Sequence, residues 1–192
     1  DPLWSRGLGD VYKRQIQPLR GNLDTRLRKL DDGQYDAIVL ATAGLTRLDL
    51  GKRIRERLAP ERMLPAAGQG ALGIEVRIDR TDVMDALRPL AHVPTWLAVS
   101  AERAVSRALG GSCSVPLAAH AVWQGERLWL RAAWGEISES TGEASLVQAS
   151  GSAAAATPGE AEALGQSVAA ELLRLGAPVS YTHLRAHETR ED

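Results

Sequence analysis

Residues 117–134 read LAAHAVWQGERLWLRAAW, from Leu117 to Trp134. Apolar residues here recur at every second position, which is the period of a half-buried strand. The spacing predicts two strands, Leu117–Trp123 and Arg127–Trp134, joined at Gln124-Gly125-Glu126. Glu143–Ser150 carries the same alternation and reads as a third strand. Before them, Thr95 can cap a long helix to Leu109 with Leu97, Ala101, Ala104 and Ala108 along one face. Gly110-Gly111 ends it, where a positive φ is needed. After them, Thr157-Pro158-Gly159-Glu160 places Thr at the N-cap, Pro at N1 and Glu at N3. Leu164, Val168, Leu172 and Leu175 mark the buried face of that helix, and Ala153–Ala156 reads as a loop. The second half is therefore helix, three-stranded antiparallel sheet, helix.

Upstream the pattern differs. Asn22 is an N-cap before Leu23, Leu27 and Leu30, and Gly33 is a stop. Ala37–Ala41 is a short unbroken apolar run of the kind found in buried parallel strands. Thr42–Leu48 and Lys52–Leu58 read as helical around Gly51. Pro60 and Pro65 bracket a connection, Ala71–Val76 reads as a strand and Thr81–Leu90 as a helix. His92-Val93-Pro94 marks a boundary. Helix–strand–helix order predicts an α/β layer ahead of the α+β unit.

Of 192 residues, 44% are hydrophobic and 24% charged, a globular rather than a disordered composition. The net charge of -1 gives no general attraction to nucleic acid or anionic membrane. No apolar run is long enough to span a bilayer. One cysteine, Cys113, excludes an internal disulfide framework and a cysteine-rich zinc site. Phe is absent, and 20 of the 23 basic residues are Arg, a bias that GC-rich coding produces.

The two ends carry a separate signal. Ser5–Gln15 (SRGLGDVYKRQ) and Val179–Thr189 (VSYTHLRAHET) back-translate to the two strands of one DNA element read in different frames. Residues 1–15 and 178–192 are thus expected to derive from a sequencing adapter, leaving 16–177 as the informative stretch. Without them the balance is 18 basic to 19 acidic residues. His183 and His187 have a metal-binding spacing but fall inside the adapter stretch, so no metal site is assigned.

Several residues carry candidate chemistry. Gly68-Gln69-Gly70-Ala71-Leu72-Gly73 matches GxGxxG formally, but a strand-like run follows where a dinucleotide site needs a helix. The glycines rather suit a tight crossing, with Gln69 or backbone N–H groups facing a ligand. Cys113 lies in a loop between a double glycine and Pro116; it is either a small buried hydrophobe or a thiol open to an electrophile. Arg20, Arg26 and Arg47 flank the α/β segments and are either solvated surface or carboxylate-binding forks. His92 and His120 read as structural, and Trp96, Trp123, Trp129 and Trp134 as core or strand-face residues.

Three blocks, taken in order, resemble one family. They are RGNLDTRLRKLDDGQYDAIVLATAGLTRL from Arg20, LPAAGQGALGIEVR from Leu64 and SAERAVSRALGGSCSVPLAAHA from Ser100. Their sequence and spacing resemble hydroxymethylbilane synthase, also called porphobilinogen deaminase, over almost all of residues 16–177. The resemblance implies two periplasmic-binding-protein-like α/β domains followed by a small α+β domain. Residues 16–64 would be the later part of domain two, 65–92 the return to domain one, and 93–177 the cofactor-anchoring third domain.

The resemblance also implies a transferase of porphyrin and heme biosynthesis. Four porphobilinogen molecules condense head to tail, with release of ammonia, to give hydroxymethylbilane. The chain grows on a covalent dipyrromethane cofactor, and the cysteine matching Cys113 holds it by a thioether. Arg20, Arg26 and Arg47 match arginines that bind cofactor or substrate carboxylates, while Ala41, Gln69 and Gly70 match positions near the cofactor. A cytoplasmic, monomeric parent without nucleic-acid or membrane partners is implied. The family's catalytic aspartate lies in a region this chain does not carry, so no catalytic residue is assigned and the chain is expected to be inactive alone. The competing expectation is a non-catalytic anion-binding or regulatory module.

Overall fold

The computed structural model describes residues 17–110, 115–137 and 144–178. Residues up to Ala41 form one unit, and Thr42 onward a second.

In the first unit, helix α1 spans Leu23–Asp31. The Asn22 side chain accepts from the Thr25 N–H at 2.9 Å, so the expected N-cap is in place. Gly33, at φ 72°, follows the helix as its stop. Ala37–Ala41 is not a strand. A strand exists only through a ladder partner, and among the described residues these have none. Val39 consequently stays 64% exposed.

The second unit opens with α2, Thr42–Arg47, and a single 3-10 turn at Gly51–Arg53. The helix expected over Lys52–Leu58 does not form beyond that turn. Its apolar residues are only Ile54 and Leu58, and four basic residues crowd the remainder. Ala71–Val76 is likewise irregular, with Leu72 77% exposed and no partner strand among the described residues. Helix α3, Thr81–Leu87, tightens into a 3-10 turn at Arg88–Leu90 around Pro89.

Helix α4 spans Val93–Ala108, starting two residues before the expected Thr95. Pro94 takes the first turn, where its missing N–H costs nothing. Thr95 instead holds the His92 imidazole, Oγ1 to Nδ1 at 2.8 Å. Strands β1 (Leu117–Gln124), β2 (Arg127–Ile137) and β3 (Ala144–Ala153) then form one antiparallel sheet in the order β1-β2-β3. Gln124 pairs with Arg127 across a two-residue turn whose Gly125 has φ 60°. Helix α5, Pro158–Arg174, begins with the expected capping box: Thr157 Oγ1 accepts from Glu160 N–H and Glu160 Oε2 from Thr157 N–H. Leu175 is a correction: it is the C-cap and is exposed. Trp96 is another, since it lies on the solvent side of α4.

Helices α4 and α5 lie on one face of the sheet. Between them are buried Leu97, Ala101, Val105, Leu128, Leu130, Trp134, Val168 and Leu172. The helices cross closely enough that a Cβ at Gly165 would stand 2.3 Å from the Ala101 carbonyl oxygen and 2.6 Å from the Ala104 Cβ. Helix propensity favours Ala over Gly by about 1 kcal/mol. The contact overrides that preference, because neither neighbour can move without separating the helices. We expect Gly165→Ala to lower the urea unfolding free energy by about 2 kcal/mol; unchanged or higher stability would refute the close crossing. In hydrogen exchange, amides of 37–41 and 71–76 should exchange before those of β2 and α5. The reverse order would contradict the absence of ladder partners.

Candidate functional site

Arg47, at the end of α2, donates from Nη2 to the Gly70 carbonyl oxygen at 3.0 Å. Gly70 belongs to a double turn in which Gln69 N–H bonds Ala66 O at 3.0 Å and Ala71 N–H bonds Gly68 O at 3.1 Å. Gly68 and Gly70 have φ of 73° and 82°. Side chains rarely tolerate that backbone, so glycine is required on both sides of Gln69. No helix follows the turn, so a phosphate would meet no helix N-terminus there. The turn borders a cleft of about 400 Å³ that is also lined by His92, Thr95, Glu102, His120 and Trp123.

The remaining candidates are distributed as follows. Arg47, Gln69 and Gly70 belong to the second unit, and Arg47 and Gly70 are in direct contact. Arg20, Arg26 and Ala41 belong to the first. Arg26 donates from Nε to Gly21 O at 2.8 Å, and Arg20 O accepts from the Lys29 ammonium at 3.5 Å. Among the described residues, none of Arg20, Arg26 and Arg47 is paired with a carboxylate. Arg77, Arg80 and Arg174, in contrast, each close on a neighbouring Asp or Glu. Cys113, His183 and His187 lie outside the described residues.

Glu102 is the residue lining the cleft that sequence reasoning missed. It is only 6% exposed. Its Oε2 accepts from Gly68 N–H at 2.7 Å and its Oε1 from Ala121 N–H at 2.8 Å. No cation pairs with it among the described residues. The available signal was a carboxylate between Ala98, Ala101 and Val105 on the apolar stripe of α4, where charge is unexpected. Burial raises its pKa above the ordinary Glu value, and the two N–H bonds oppose that shift without cancelling it. His120 shifts down, first through burial and then through the nearby Arg131 charge.

The raised Glu102 pKa has a defined sign in stability. The folded chain holds the proton more tightly than the unfolded chain. The resulting stabilisation is complete below about pH 4.3 and is lost as pH rises through the folded value. In Glu102→Gln the amide NH2 must face one of the two N–H donors, which costs about 1–3 kcal/mol. Urea unfolding from pH 4 to 7 should therefore show the wild type losing stability relative to Glu102→Gln as pH rises. A gap that widens with pH would reverse the assignment.

Two family models match the chain. Residues 10–85 match the porphobilinogen deaminase dipyrromethane cofactor binding domain, and residues 96–174 match the porphobilinogen deaminase C-terminal domain. Porphobilinogen deaminase of Albidiferax ferrireducens is 64% identical over 158 residues, covering 82% of this chain and 49% of that protein. The Ralstonia nicotianae protein of the same name is 61% identical over 163 residues, covering 84% and 48%. That of Burkholderia thailandensis is 59% identical over 162 residues, covering 84% and 48%. The chain spans about half the length of the curated relatives it matches. With both models and these identities in agreement along its length, the chain belongs to the porphobilinogen deaminase family.

Proposed function

We propose that the chain is part of a hydroxymethylbilane synthase, a transferase of tetrapyrrole biosynthesis. The parent enzyme joins four porphobilinogen molecules head to tail into hydroxymethylbilane with release of ammonia. One observation carries the site assignment: Arg20, Arg26, Ala41, Arg47, Gln69 and Gly70 all lie within residues 10–85, the stretch matched by the dipyrromethane cofactor binding domain. The chemistry of these residues fits that group. Each pyrrole brings an acetate and a propionate, and Arg47 presents a guanidinium with no carboxylate partner among the described residues.

When bound, dipyrromethane supplies an electron-rich pyrrole end on which a chain can be extended. Cys113 would hold that group through its sulfur as a thioether, a bond that would anchor the growing chain. Arg20, Arg26 and Arg47 would hold carboxylates by paired N–H donors. Gly70 would fix the direction of Arg47, and Gln69 would present the exposed crest of its turn.

In this reading 16–64 is the later part of a periplasmic-binding-protein-like α/β domain two. Residues 65–92 return to domain one, and 93–177 are the anchoring α+β domain. The parent is a cytoplasmic monomer acting without nucleic acid or membrane. No helix among the described residues is long and apolar enough to cross a membrane. This chain supplies the anchor and part of the carboxylate cradle, so it should not turn over alone.

The test has two arms. Porphobilinogen consumption by the 192-residue chain should be at background, and a rate matching a full-length relative would refute its inactivity. In a full-length parent, Cys113→Ser should abolish the covalent dipyrromethane mass increment. An intact mass that keeps the increment would refute the anchor, whereas a parent that carries no increment even with Cys113 present would favour a non-catalytic anion-binding module.

A further inference from the structure

Glu102 sits where no surface charge belongs, and both its oxygens are committed to backbone N–H groups. The first donor, Ala121, is on the outer edge of β1, the edge strand that pairs only with β2. Two residues earlier on the same edge, Ala119 N–H donates to Pro65 O at 3.0 Å. The segment from Pro65 to Gly68 is therefore fastened along β1 at two points. One is a backbone bond, and the other is the Glu102 carboxylate bridging Ala121 to Gly68. A buried carboxylate without a cation is costly to keep. A neutral apolar residue here would leave two inward N–H groups without an acceptor, which is costly as well.

The Gly68 fastening has a second end. From Gly68 the chain passes through the double turn to Gly70, whose carbonyl accepts from the Arg47 guanidinium. The turn is closed by two backbone bonds, Gln69 N–H to Ala66 O and Ala71 N–H to Gly68 O, so a displacement at Gly68 moves the hydrogen-bonded backbone around it. A shift there is passed on to the Gly70 carbonyl. The carboxylate on α4 and the guanidinium on α2 are thus connected through three residues of backbone.

We propose that Glu102 is a positioning residue for Arg47: through the Gly68–Gly70 turn, it sets the direction in which Arg47 offers its N–H donors to a ligand carboxylate. This rests on the reading of Arg47 as a carboxylate-binding residue, and the test separates the two claims.

The experiment uses the ¹⁵N-labelled 192-residue chain, with porphobilinogen as the probe. The variants are Glu102→Gln, Glu102→Asp, Arg47→Lys and Thr157→Ala. Without ligand, Glu102→Gln should displace the Gly68 and Ala121 amide signals and the Arg47 Nε–H signal together. Thr157→Ala destabilises the same unit by removing the α5 N-cap, without touching the α4–α5 crossing, and should leave the Arg47 signal in place, which separates positioning from general loss of stability. With porphobilinogen, Glu102→Gln should weaken binding about tenfold. Adding Arg47→Lys to it should cost far less than Arg47→Lys costs alone, because coupled sites are not additive. If Glu102→Gln does not fold, Glu102→Asp replaces it: the charge stays, but the shorter side chain cannot reach both donors.

An Arg47 signal that stays at its wild-type position while Gly68 moves would overturn the proposal, as would fully additive binding losses. An Arg47 signal that follows Glu102→Gln but ignores porphobilinogen in the wild type would support positioning. That outcome would refute only the carboxylate role of Arg47.

Discussion

The close crossing of α4 and α5 is the constraint on which the rest of the second unit depends. Gly165 gives the Ala101 carbonyl room that a methyl group would occupy. With the axes that near, both helices fit on one face of a three-stranded sheet, and Leu128, Leu130 and Trp134 close the core beneath them. The same placement rotates the next residue of α4, Glu102, toward the outer edge of β1. A helix held farther from its neighbour would not deliver that carboxylate to the strand edge. The packing of small residues on one side of α4 and the polar fastening on its other side are thus a single arrangement.

That fastening explains how an irregular segment can keep a defined geometry. Residues 60–77 contain no helix or strand, yet Pro65 and Gly68 are tied to β1 and α4, and Gly70 to Arg47. Backbone bonds of this kind hold a loop without a core of its own. Arginine serves two different ends in the molecule. Arg77, Arg80 and Arg174 close on adjacent carboxylates at the surface, where such pairs add little stability. Arg47 instead rests on a carbonyl oxygen, which orients the guanidinium without neutralising it.

The elements legible in the sequence are those whose signal is local. The Thr157–Glu160 capping box, the Gly125 turn and the Asn22 cap each depend on residues three or four apart, and each forms as read. The alternation in 117–134 defines the sheet because its two strands are adjacent in the chain. Ala37–Ala41 and Ala71–Val76 are also rich in apolar residues but have no ladder partner among the described residues, so they remain irregular. Lys52–Leu58 lacks a surface to receive Ile54 and Leu58, and periodicity alone does not sustain a helix there.

Sequence alone determined the family, because motif order and spacing survive without coordinates, and it singled out the three arginines and the cysteine as candidates. It also determined that Gly68 and Gly70 suit a tight turn, since glycine alone accepts a positive φ at little cost. Only the tertiary structure decided that Arg47 meets Gly70, 23 residues away, and that Glu102 is buried between Gly68 and Ala121. Those contacts join residues distant in the chain. Their geometry follows from how closely α4 approaches α5 and the sheet, a distance that no local pattern encodes.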